Sequence, residues 1–312
     1  MAVRDLRLRP QRHLPRADAA RARLRRHGLQ AVDRPRRRRP QPADPARREA
    51  LRRDRRGDLA VTVLGVVQCR LDSTRFPGKA LAPLLGEPMT ARIVERVRMA
   101  ASVDRVCIAT SDEPSDAPIV AMAAERGIDC YAGPKLDLIA RIHGAAEAYG
   151  ADTVVLITGD CPLCDPELID RAVAMSREPG CEIVSNMQRY TFPDGLDTTV
   201  LSRAVLDRAH REVADPFWRE WIMAQMIIEH PEQWGVCPLA HEPDLSHLRW
   251  TVDYEDDLEF VEAVYSRLYA DDPAFGMDAV LALLEREPQL ASINAHHALN
   301  EGYTSAKDEA GK

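Results

Sequence analysis

Between residues 61 and 158 the chain alternates short, nearly continuous apolar runs with longer amphipathic stretches, and few folds accommodate that rhythm. The runs are 61–67, 105–110, 128–131 and 153–158, the last containing Val154, Val155, Leu156 and Ile157 in succession. Between them lie 88–101, where Met89, Ile93, Val97 and Ala100 recur near helical spacing behind Pro88, 115–126 ending at Gly127, and 137–149 closed by Gly150. A strand apolar on both faces must be covered on both, and crossovers of helical length join parallel neighbours. The pattern predicts an α/β fold, a doubly wound, Rossmann-like, mostly parallel sheet. Ligands of such sheets bind beyond the C-terminal ends of the strands.

Three polar clusters fall at those ends. The first follows the opening strand as Q-C-R-L-D-S-T-R-F-P-G-K, residues 68–79. Arg70 and Arg75 can fork onto phosphate oxygens, Lys79 brings a mobile point charge, and Ser73, Thr74 and Gly78 offer hydroxyls and close backbone approach. A solvated basic turn has the same composition. The second is Thr110-Ser111-Asp112. The third is Gly159-Asp160, where a carboxylate just after a buried strand suits a divalent cation. A helix cap is the other reading of Asp160, although Asp165, directly before Pro166, is the better placed cap.

Beyond residue 180 the periodicity weakens. We expect a strand at 182–186, a turn-rich segment at 190–197 carrying Asp194 and Asp197, helices at 202–213 and 216–229, and a strand at 248–252 delivering Asp253. The aromatic stripe of 216–229, with Trp218 and Trp221, reads as core or as a dimer contact. Glu255, Asp256 and Asp257 suit the N-terminus of a helix electrostatically, and His296-His297 read as surface residues of a flexible tail, 296–312.

Charge is unevenly spread. Residues 1–58 hold 20 arginines and 7 acids, a net of +13, so with the chain at −7 the remainder carries −20. Proline breaks, scarce apolar residues and self-repulsion predict a disordered basic leader over 1–60, ahead of a catalytic domain at 61–295. The leader reads either as a tether for nucleic acid or another acidic surface, or as upstream sequence before a true start near Val61. It has no interleaved aromatics for base stacking, which disfavours a nucleic-acid partner. It also lacks the apolar core of a secretory signal. No apolar stretch is long enough to span a bilayer. Seven scattered cysteines are expected as buried free thiols of a cytoplasmic protein. Cys161-Pro-Leu-Cys164 has no second pair with which to build a zinc site.

Taken in order, Q-C-R-L-D-S-T-R-F-P-G-K-A-L, A-T-S-D, I-T-G-D-C-P-L-C-D-P-E-L-I-D, Y-T-F-P-D-G-L-D and W-T-V-D-Y-E-D-D-L-E-F resemble the cytidylyltransferase family. That family includes enzymes that make CMP-activated sugar acids, and the spore coat polysaccharide biosynthesis protein F branch is the nearest in pattern. The resemblance implies a nucleotide-diphospho-sugar transferase-like fold and attack of a sugar hydroxyl on the α-phosphate of CTP. Arg70, Ser73, Arg75 and Lys79 would hold the triphosphate, and Thr110 to Asp112 would lie near the nucleoside. Asp160 and Asp253 would hold Mg²⁺, and Asp194 and Asp197 would face the acceptor. It further implies a homodimer and a role in surface polysaccharide synthesis. This chain departs from the pattern at Cys69, at Asp72, which puts a negative charge in the phosphate loop, and at Trp221, where the branch often carries histidine. A glycosyltransferase of the same architecture and a catalytically silent binding protein remain the alternatives.

Overall fold

The computed structural model describes residues 62–297 together with Lys307, Asp308 and Gly311. The arginine-rich stretch and most of the expected tail therefore lie outside the described residues. Strand β1 (Val63–Gln68) runs up the middle of a seven-stranded sheet. It is followed by a two-residue hairpin, β2 (Pro83–Leu84) and β3 (Glu87–Pro88), which the sequence reading missed, and by α1 (Met89–Val97). Then come β4 (Arg105–Ser111), α2 (Ala117–Glu125), β5 (Asp129–Gly133), α3 (Leu138–Ala148), β6 (Thr153–Thr158) and α4 (Pro166–Met175). Asp165 caps α4 through the amides of Glu167 and Leu168, which leaves Asp160 out of that role.

The chain continues through β7 (Ile183–Ser185), β8 (Thr199–Ser202), α5 (Arg203–Glu212), α6 (Pro216–Glu220), α7 (Ile222–Ala224) and β9 (Val236–Pro238). It ends with α8 (Glu255–Leu268) and α9 (Met277–Arg286). Sheet order is β5-β4-β1-β6-β8-β7-β9. Strands β5, β4, β1 and β6 are parallel, β8 runs antiparallel to both its neighbours, and β7 pairs β9 in parallel. The fold is thus the expected mostly parallel α/β sheet.

Period-two alternation sorts the core into two layers. Val63 and Val67 of β1 face α1, α2, α4, α8 and α9, whereas Leu64 and Val66 face α3, α5 and α7. The chain leaves β1 for β4 on one side and later enters β6 on the other, so the crevice between the ends of β1 and β6 is the topological switch point. Gly159 closes the floor of that crevice. Its amide donates to the Gln68 carbonyl at 2.7 Å, and a Cβ there would collide with Cys69.

Three expectations need correction. The helix expected over 216–229 is broken at Trp221 and finishes as a π-turn, Gln225–Glu229. Pro216 and the Asp215 cap start it, but the buried Ile222, Met223 and Met226 then follow the second core layer. Trp218 packs against that layer as well, which favours the core reading of the aromatic stripe. Residues 248–252 form no strand, only a single bridge between Arg249 and Asp194. Finally, Cys181 and Cys237 are joined by a disulfide, while the other five cysteines are free. The parallel pairing of β7 with β9 brings these two segments together across a sequence separation of 56 residues. That contact is invisible in the spacing of the cysteines.

Candidate active site

The loop after β1 is tied down at its start by Asp116. One Asp116 oxygen accepts from the Leu71 amide at 2.8 Å, and the other accepts the Ser111 hydroxyl at the end of β4. Gly78 adopts a left-handed conformation, φ 77°, and its amide closes back onto the Leu71 carbonyl. That turn starts the short 3₁₀ turn Lys79–Leu81. Lys79 Nζ donates to the Val252 carbonyl at 2.7 Å and to Asp253 Oδ1 at 2.8 Å, and stands 3.5 Å from Asp160 Oδ2. Arg75 Nη2 lies 2.7 Å from the other Asp253 oxygen. Burial pushes the Lys79 ammonium down, but Asp160 and Asp253 more than reverse this and leave its pKa raised. Burial likewise pushes Asp253 up, and Lys79 and Arg75 pull it well below the usual carboxylate range.

Asp253 reaches this position through long-range backbone contacts. The Asp194 amide donates to the Leu248 carbonyl, the Trp250 amide donates to the Asp194 carbonyl, and the Val252 amide donates to the Asp160 carbonyl at 2.9 Å. Gly195, at φ 104°, permits the approach, since a Cβ there would strike the backbone of Trp250 and Thr251. Behind this arm, Asp257 is fully buried and takes a two-pronged pair from Arg249, at 2.9 and 2.8 Å. Asp257 also accepts from the amides of Asp253 and Tyr254. Arg249 in turn stands 3.5 Å from Asp194 and 3.6 Å from Asp253.

The site therefore gathers Asp160, Asp194, Asp197 and Asp253. Burial raises Asp194 to about 6, against the pull of Arg249 and with a further push from Asp160 and Asp253. Burial, Asp194 and Asp160 together raise Asp197 to about 8. Four carboxylates that converge on one crevice, two of them pushed up by burial and by their neighbours, form an all-oxygen donor set, and this fits a divalent cation.

The other residues singled out in the sequence are placed differently. Arg70 pairs with Glu220 at 2.9 Å and donates to the Lys135 carbonyl. Asp72 is balanced by Lys135 at 2.7 Å and Arg70 at 3.4 Å, so its charge does not stand alone among the loop cations. The Ser73 hydroxyl accepts from the Phe76 amide within the loop, and Thr74 is exposed. Thr110 and Ser111 are buried, and only Asp112 reaches the surface at the end of β4. Cys161 and Cys164 are buried thiols, Cys164 pushed up to about 11 by burial, a setting opposite to that of a reactive cysteine.

Arg249, Asp257, Asp116 and Glu220 were missed as organising residues. In the sequence Asp257 reads only as a favourable helix terminus, and nothing in its spacing marks it as the fully buried partner of an arginine eight residues earlier. His296 is exposed, as expected of a surface residue, whereas His297 departs from that expectation. His297 is largely buried against Tyr254, with ring centroids 4.0 Å apart.

A family model described as cytidylyltransferase matches residues 64–213, from β1 to just beyond α5. The spore coat polysaccharide biosynthesis protein SpsF of Bacillus subtilis is 27% identical over 242 residues, covering 74% of this chain and 97% of the relative. A 3-deoxy-manno-octulosonate cytidylyltransferase of Nitratidesulfovibrio vulgaris is 39% identical over 170 residues, covering 51% of this chain and 65% of the relative. Among solved structures, a cytidylyltransferase from Leptospira borgpetersenii superposes with a TM-score of 0.70 at 26% identity, over 77% of this chain and 100% of its own. Residues 64–213 belong to the cytidylyltransferase family, and the chain is a nucleotidyltransferase.

Proposed function

We propose that this protein transfers CMP from CTP to a hydroxyl of a sugar acid, releasing pyrophosphate, in a Mg²⁺-dependent reaction that feeds surface polysaccharide synthesis. The observation that carries the proposal is the meeting of Lys79 and Arg75, from the loop after β1, with Asp160 and Asp253 at the switch point. The sugar-acid acceptor is supported by the relatives named as 3-deoxy-manno-octulosonate cytidylyltransferases, and the pathway by SpsF.

In this reaction the acceptor oxygen forms a bond to the α-phosphorus, the bond to the bridging oxygen of the β-phosphate breaks, and pyrophosphate leaves. Such a displacement demands in-line positioning and charge neutralisation more than covalent help. Lys79 and Arg75 are the cations placed to neutralise the phosphates, and Gly78 lets backbone amides approach them. Asp160 and Asp253 would hold the divalent ion, and their all-oxygen donors, with those of Asp194 and Asp197 close by, favour Mg²⁺ over softer metals. Bound there, the ion would polarise the α-phosphate. Asp194 and Asp197 line the side from which an acceptor would come, and Asp112 lies on the nucleoside side. Arg70 is held by Glu220 and serves the triphosphate only by exchanging that partner.

The test is a pyrophosphate-release assay with each of the four nucleoside triphosphates, Mg²⁺ and a panel of sugar acids. Release that requires both CTP and an acid is the expected result. Transfer from a preformed nucleotide-sugar without pyrophosphate would replace this reading with that of a glycosyltransferase.

A further inference from the structure

A second cluster of metal-ligating side chains lies beside Tyr254, against whose ring His297 stacks. Asp256, in the first turn of α8, faces a turn that carries two consecutive histidines. His297 Nε2 lies 2.9 and 3.0 Å from the two Asp256 oxygens, and His296 Nε2 lies 3.2 Å from Asp256 Oδ2. The donor atoms of the three residues lie within 4.8 Å of one another. We propose that Asp256, His296 and His297 form a binding site for a borderline divalent transition ion, zinc foremost, independent of the carboxylates around Asp160.

Three features argue for a ligand set rather than a chance surface pair. The first is anchoring. Asn294 is buried and donates to Asp257 Oδ1 at 2.8 Å and to the Arg249 carbonyl, and the His297 amide closes the turn onto the Asn294 carbonyl. The backbone that carries both histidines is thus fixed to the same buried pair that positions Asp253. The second is ring orientation. His297 stacks on Tyr254 with an interplanar angle of 6°, so its Nε2 is aimed at Asp256 without further ordering cost. The third is electrostatic. The two imidazoles stand with centroids 4.1 Å apart and converge on one carboxylate. A single carboxylate cannot balance two imidazolium ions, whereas two neutral imidazoles and one carboxylate provide three ligands for a tetrahedral ion, with the fourth position open to water.

The donor chemistry separates this site from the first. Imidazole nitrogen selects zinc, cobalt or nickel, and an all-oxygen set selects magnesium. An ion here would pin the 294–297 turn to the start of α8, three residues from Asp253.

The experiment uses the untagged full chain, treated with a chelator and titrated with Zn²⁺ against a chromophoric competitor, with Co²⁺ as a spectroscopic stand-in. The expected result is one Zn²⁺ per chain, visible d–d bands with Co²⁺, and no displacement by Mg²⁺ at equal concentration. His296→Ala, at an exposed position, should keep the fold by circular dichroism and weaken Zn²⁺ binding roughly tenfold or more, as should His297→Ala. Asp160→Asn should bind Zn²⁺ as the wild type does. Absence of stoichiometric binding would overturn the proposal. So would equal affinity in the histidine variants, or loss of binding in Asp160→Asn, which would place the ion among the other carboxylates.

Discussion

The parallel half of the molecule and the half that follows β6 contribute to the site in opposite ways. In the parallel half each functional side chain follows directly on the strand that positions it: Arg75 and Lys79 after β1, Asp112 after β4, Asp160 after β6. In the other half the strands are only three or four residues long. There Asp194, Asp197 and Asp253 are placed by contacts between distant segments: Asp194 against Arg249, Gly195 against Trp250 and Thr251, and Val252 against Asp160. The first half supplies both phosphate-loop cations together with Asp112 and Asp160, and the second supplies the carboxylates Asp194, Asp197 and Asp253. Charge complementarity across the crevice is therefore an outcome of tertiary docking, and the docking half should be the fragile one.

That contrast breaks most visibly at Asp257. Asp257→Ala removes both prongs of the Arg249 pair and strands a buried guanidinium, which should cost about 3–5 kcal/mol. Urea unfolding would measure it, and a loss under about 1 kcal/mol would mean that Asp194 and Asp253 suffice to hold Arg249. Asp160→Asn probes the other half, where the fold does not lean on the side chain. Turnover should fall on the order of a hundredfold or more with the unfolding midpoint unchanged. Near-normal turnover would remove Asp160 from the metal role.

The legibility of the sequence divides along the same line. Continuous apolar runs such as 105–110 and 153–158 are local signals, and they marked strands that the structure contains. The cations of the phosphate loop were readable because they are neighbours in sequence. Strand β8, which reverses direction, and β9 were missed because three or four residues carry too little period, and their pairing is decided by partners far along the chain. Residues 248–252 read as a strand because Leu248, Trp250 and Val252 alternate. The segment instead makes two backbone bonds to Asp194 and one to Asp160, too few for a strand. The Cys181–Cys237 disulfide and the Asp257–Arg249 pair are likewise products of tertiary proximity, absent from any local pattern.

A subtler difference concerns pH. Asp197 has its carboxyl raised from 3.8 to about 8 by burial and by Asp194 and Asp160. Its folded pKa exceeds its unfolded one, so the folded state binds the extra proton between those values. Its favourable contribution is complete below about pH 4 and is lost as the pH rises towards 8. In chelator, the unfolding midpoint of Asp197→Asn should therefore fall less than that of the wild type over this range, and added Mg²⁺ should narrow the gap. Parallel pH profiles for the two proteins would contradict the buried setting of Asp197.

The smallest effect is expected at Asp72, whose pair with Lys135 is solvent-exposed. Asp72→Ala should change stability by less than about 1 kcal/mol. It should also leave kcat unchanged while lowering KM for CTP, since one negative charge leaves the phosphate loop. An unchanged KM would show that Lys135 and Arg70 already neutralise it.

The central claim is that the two halves form one catalytic unit through Lys79 and Asp253, which lie 2.8 Å apart. A double-mutant cycle on pyrophosphate release from CTP, built from Lys79→Ala and Asp253→Asn, tests it most directly. Coupled residues should give a double variant whose loss is smaller than the product of the single losses, by an interaction of roughly 0.5–3 kcal/mol. A double variant whose loss equals that product would show that the loop and the carboxylate arm act independently.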